Sequence, residues 1–123
     1  MKPAQIAELA AEIADALEPD AIVVSVAAGV TCGTIEAALA GVGSVIRAMP
    51  NTPAAIRQGM TGLAAGSSAN DADVRLVADV FATVGDVLVV DEDRIDALTT
   101  ISGSGPAYVF YVAEAMIEAG VRS

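Results

Sequence analysis

The sequence predicts an α/β fold that gives way to helix alone near its end, and three observations carry that reading. Helix-like and strand-like patterns alternate from residue 4 to residue 90. Apolar residues make up 54% of the chain, which is ample material for a layered core. After Asp91 the strand patterns cease. Such β–α–β alternation implies a parallel or mixed sheet with right-handed crossovers. A domain boundary follows near residue 91, dividing 1–91 from 92–123.

From Ala4 to Leu17, Ile6, Leu9, Ala10, Ile13 and Leu17 share one helical face, while Glu8, Glu12 and Asp15 lie elsewhere. Pro3 is a suitable opener, because the first helical turn has no use for its missing N–H. Ala21–Val26 is an unbroken apolar run apart from Ser25, as in a strand buried on both faces of a parallel sheet. Thr31 is the expected N-cap of a short helix reaching Leu39. A second strand covers Ser44–Ala48. Pro50 and Pro53 then predict a loop over Met49–Pro53.

Met60–Ala65 is a weaker strand candidate, interrupted by Gly62 and flanked by Gly59 and Gly66. Asn70 or Asp71 should cap a helix whose inner face carries Val74, Val77, Ala78 and Phe81, with Gly85 as its stop. Asp86–Val90 supplies a further strand. Asp93–Ile101 has a helical pattern, which Ser102–Pro106 is expected to break, with Ser104 as N-cap of a second helix. That helix should run from Pro106 to Ala119 and stop at Gly120. Tyr108–Ile117 is apolar nearly all round, and a helix of that kind needs partners on several sides. The chain ends three residues past Gly120, so the pattern reads as a truncation within a second domain.

Composition excludes several functions. Six basic residues against sixteen acidic ones give −10, so no cationic face is available for nucleic acid. There is no histidine, and Cys32 is the only cysteine, which leaves no Cys/His metal cluster and no internal disulfide. Without a histidine or a nearby cation to activate it, Cys32 reads as a small core residue. No signal peptide opens the chain, and no apolar run reaches membrane-spanning length, so a cytoplasmic protein with no membrane partner is expected.

Three strings carry a resemblance: Val26–Thr31, Arg47–Ala54 and Ile95–Tyr108. In their order and spacing, and with the opening Lys2-Pro3, they resemble the pyrroline-5-carboxylate reductase family over essentially the whole chain. The resemblance implies the C-terminal part of a Rossmann-like dinucleotide-binding domain, followed by the first helices of an all-helical domain that builds the dimer and most of the substrate pocket. It implies hydride transfer from NADPH or NADH to the C=N bond of 1-pyrroline-5-carboxylate, giving L-proline, in a homo-oligomer. The family's glycine-rich fingerprint has no counterpart in this chain, nor has the later helical segment whose hydroxyl residue contacts the substrate nitrogen. The isolated chain is therefore expected to be inactive. The alternative is a non-catalytic assembly module that associates through its apolar C-terminal helix.

Site residues follow by position, each beside a plainer reading. Val26, Ala27 and Ala28 end a strand, where open α/β sheets bind ligands and small residues admit a nicotinamide ribose; a tight turn needs small residues too. Lys2 and Pro3 lie beside the cofactor in the family, or here form only a terminus. Asn51, on a rigid loop between prolines, either frames the nicotinamide or imine or bonds its own backbone. Glu92 stands near the cofactor or the domain junction by resemblance, or simply favours a helix N-terminus. Ser102, Gly103, Ser104 and Gly105 lie near the substrate pocket in the family, where backbone N–H groups could meet a carboxylate, or they serve close packing. They lack the lysine and preceding strand of a phosphate loop. No catalytic or metal-binding residue is assigned.

Overall fold

The structure, a computed structural model, describes residues 3–122, and side chains from Gln5 onward. Helix α1 (Pro3–Ile13) tightens into a 3-10 turn at Ala14–Ala16 before strand β1 (Ile22–Ser25). Helix α2 (Cys32–Ala38) and strand β2 (Ser44–Met49) follow, then β3 (Gly59–Ala65), α3 (Asp71–Ala82) and β4 (Gly85–Val89). The strands form one sheet in the order β1-β2-β3-β4. β1 and β2 are parallel, β2 and β3 antiparallel, and β3 and β4 parallel, so the sheet is mixed.

Side chains alternate across β2 and divide the core into two layers. Val45 packs with Ala10, Cys32, Ile35 and Leu39 beneath α1 and α2. Ile46 and Ala48 pack with Leu63 and Val77 beneath α3. A third cluster, Met49, Ala64 and Ile95, joins β2 and β3 to the segment after β4. Burying an Ile such as Ile95, which is fully enclosed, contributes about 1.5–3 kcal/mol.

Local signals place the helix starts. The Thr31 side chain accepts from the Thr34 N–H at 3.2 Å and caps α2. Asn70 closes a capping box on α3: its Oδ1 accepts from Ala72 and Asp73, and Asp73 Oδ2 accepts from the Asn70 N–H.

Several expectations need correction. The first strand is not buried on both faces: β1 lies at the edge of the sheet, with Val24 39% and Val26 60% exposed. The predicted loop over Met49–Pro53 is loop only in part: Met49 ends β2, and Thr52 and Pro53 open a 3-10 turn that runs to Ile56, with Pro53 in its first turn, where no donor is required. Thr83, not Gly85, ends α3; Gly85 opens β4 at φ +152°, where a Cβ would stand 2.0 Å from the Gly59 carbonyl oxygen. The chain does not leave helix at Ser102–Pro106. After a 3-10 turn (Glu92–Arg94) and α4 (Ile95–Leu98), it widens into a π turn at Thr99–Gly103 and continues as α5 (Gly105–Arg122). Ser104 is therefore no N-cap: its backbone is helical and its N–H donates to the Thr99 carbonyl at 3.0 Å. Gly120 lies inside α5 and does not stop it.

Every residue of α5 from Ala107 onward is exposed, Tyr108 at 65%, Phe110 at 62% and Met116 at 71%. Among the described residues no helix is long and apolar enough to cross a membrane.

Candidate functional site

β1 and β2 run parallel in the register Ser25↔Arg47, so Val26–Ala28 and Pro50–Asn51 leave the sheet at the same end. Val26 is 60% exposed and Ala28 is exposed, while Ala27 is half-buried and donates its N–H to Ser25 Oγ at 3.3 Å. Val26 and Ala27 line a groove of about 410 Å³ between α1 and β1, with Ile6, Leu9 and Val24. The groove wall is apolar and suits a ring, not a phosphate.

Asn51 is tied on both sides. Its Nδ2 donates to the Ser102 carbonyl at 3.2 Å and to Ser102 Oγ at 3.1 Å, and its Oδ1 accepts the Met60 N–H at 2.9 Å. The amide thus joins the β2 exit, the start of β3 and the π turn. Neither reading of Asn51 includes this bridge, because Ser102 lies 51 residues away in sequence.

Glu92 is likewise engaged. Its Oε1 accepts the Cys32 N–H at 2.6 Å, at the N-terminus of α2, and lies 3.8 Å from Arg47 Nη1. The carboxylate favours a helix N-terminus, but that of α2 and not of its own segment. Burial first, and then the Glu92 carboxylate, push the Cys32 thiol from 9.0 up to about 12. Cys32 is 1% exposed and so is a core residue with no nucleophilic character.

Ser102, Gly103, Ser104 and Gly105 are half-buried beside Asn51. The Ser104 N–H is already spent on Thr99 and cannot serve a carboxylate. Pro3 opens α1, but its side chain falls outside the description, and Lys2 lies outside the described residues altogether. Sequence reasoning missed Arg47 and Asp96, whose side chains pair at 2.9 Å between Nη2 and Oδ1. A cation inside a strand otherwise patterned for burial was the available signal.

A model of the family described as pyrroline-5-carboxylate reductase dimerisation matches residues 92–123. A pyrroline-5-carboxylate reductase of Pseudomonas aeruginosa is 41% identical over 123 residues, covering 99% of this chain and 45% of the relative. The solved pyrroline-5-carboxylate reductase of Coxiella burnetii matches with a TM-score of 0.86 at 40% identity, over 99% of this chain and 46% of that one. This chain belongs to the pyrroline-5-carboxylate reductase family. A Plasmodium falciparum pyrroline carboxylate reductase, solved with NADP bound, matches with a TM-score of 0.91 at 30% identity, over 99% of this chain and 49% of that one. The chain spans under half the length of these relatives.

Val26 and Ala27 present an apolar wall at the end of β1. A second hollow of about 400 Å³ is lined by Ala65, Val89, Val90, Asp91 and Glu92, with no cation for a phosphate. Among the described residues neither hollow offers a cation for a pyrophosphate.

Proposed function

We propose that this chain supplies the nicotinamide-proximal part of an NAD(P)H-dependent reductase that converts 1-pyrroline-5-carboxylate to L-proline in proline biosynthesis. The observation that carries this reading is the meeting of Asn51 with Ser102 at the carboxyl ends of β1 and β2. There the two strings most characteristic of the family meet through the Asn51–Ser102 hydrogen bonds. The cofactor supplies the hydride when bound. Val26, Ala27 and Ala28 form the small, apolar wall beside its ring, and Pro3 and Lys2 belong to the same neighbourhood by resemblance. Asn51 fixes the π turn, so that Ser102–Gly105 present a constant surface to the substrate. Glu92 holds the start of α2 in place behind that wall. Catalysis here is positioning: an already electrophilic imine needs a ring held at the right distance more than a proton-transfer side chain.

Residues 1–91 form the nucleotide-binding part and 92–123 the start of a helical part that assembles with a second copy, in the cytoplasm. The isolated chain should not turn over, since it holds no pyrophosphate cradle among its described residues. A second reading, an assembly module without catalysis, draws on the uncovered α5.

One experiment separates the two readings. The stretch of the Pseudomonas aeruginosa relative that matches this chain is replaced by it, and oxidation of NADPH or NADH is followed with 1-pyrroline-5-carboxylate. The reductase reading requires turnover by the hybrid and none by the chain alone. A folded, cofactor-binding hybrid without turnover overturns it and leaves the assembly reading.

A further inference from the structure

Arg47 is the only charged residue in β2, and its side chain is 2% exposed. A guanidinium stays ionised even when buried, so its charge has to be answered where it sits. Nη2 donates to Asp96 Oδ1 at 2.9 Å, and Nη1 lies 3.8 Å from Glu92 Oε1. Among the described residues Nε has no hydrogen-bond partner. The compensation therefore passes through two carboxylates, and both belong to the segment that leads from the sheet into the helices.

That segment has no strand pairing to hold it. It is fixed by Ile95 in the core, by Leu98 lying over Gly62, and by these two carboxylates. The Glu92 oxygen that faces Arg47 also takes the Cys32 N–H, so the same group locks α2. A planar fork can reach two acceptors at once, which a single ammonium cannot do with the same geometry.

We infer that Arg47 is a positioning residue: its buried charge latches residues 92–96 to the sheet and so sets where the π turn carrying Ser102 stands against Asn51. The consequence for catalysis rests on the reductase reading; the latch itself is a property of this chain.

Cys32 reports on the latch. Its thiol is buried beside Glu92 and held well above the usual thiol range, so it reacts only when that contact opens. The Asp96 side chain is 78% exposed, so Asp96→Asn removes half of the pairing without touching the core. The 123-residue chain and the variants Asp96→Asn, Arg47→Met and Arg47→Lys are compared by the rate at which a disulfide reagent labels Cys32. Amide exchange is followed in parallel. The latch predicts labelling about tenfold faster in Asp96→Asn, with amide protection lost over Thr99–Gly105 and retained in the sheet. Arg47→Met should label faster still, and Arg47→Lys should fall between it and the parent. Labelling of Asp96→Asn at the parent's rate overturns the inference, and so does a uniform loss of protection across sheet and helices. If Arg47→Met does not fold, Asp96→Asn and Arg47→Lys decide the matter. None of these measurements reads catalysis, so a failed latch leaves the reductase reading standing, and a failed reductase reading leaves the latch.

Discussion

Cys32 gives the fold a signature on the alkaline side. Its thiol is pushed to about 12 in the folded chain from an ordinary 9.0. Above the lower value the unfolded chain releases a proton that the native chain keeps, so rising pH favours unfolding. The contribution is complete below about 9.0 and is lost progressively as pH climbs towards 12. Denaturant titrations across that window should show stability falling by roughly 1 kcal/mol per pH unit from this group. Cys32→Ala should remove that part of the slope; an unchanged slope in the variant would place the effect elsewhere. At this scale the sequence was informative about which residues matter and silent about what they touch. Asn51 stood out between two prolines, yet its partners Met60 and Ser102 are supplied by the fold. Arg47 lay inside a recognised string and went unassigned, although a lone cation in a buried strand demands a counter-charge.

Among the elements, those with strong local chemistry were legible. The Thr31 and Asn70 caps, the inner face of α3 and the run of β1 are all written in adjacent residues. Glycine was harder to read, because its meaning depends on what approaches it. Gly85 looked like a helix stop, but β4 needs it because the backbone of Gly59 occupies the space of a side chain. Gly62 looked like a weakness in β3, whereas Leu98 lies where its Cβ would be. Gly85→Ala should therefore cost about 3 kcal/mol or more, since a strand must move to relieve the clash. Thermal unfolding measures this, and a variant as stable as the parent would show that β3 and β4 adjust freely. Ser102–Pro106 misled for a related reason. Two glycines and a proline predict a break, but Gly103 closes a π turn and Gly105 and Pro106 fall in the first turn of α5.

At the scale of the molecule, the alternation of elements was enough to predict an α/β sheet followed by helix. The antiparallel pairing of β2 with β3 went unread, although the short link between Met49 and Gly59 leaves no room for the crossover helix that parallel neighbours need. What the sequence did announce was the imbalance of α5. Its apolar residues find no cover in the sheet layers, and a surface of this kind is too large for a monomer to leave wet. We propose that this helix is one half of an interface with a second copy, which the chain's net charge of −10 keeps from becoming general aggregation. Light scattering of the 123-residue chain over a range of concentrations tests this directly. The account predicts a defined species heavier than the 12.3 kDa monomer, returned to monomer by Phe110→Glu with Met116→Glu while the sheet stays folded. A 12.3 kDa monomer at every concentration, with α5 still helical, would contradict it.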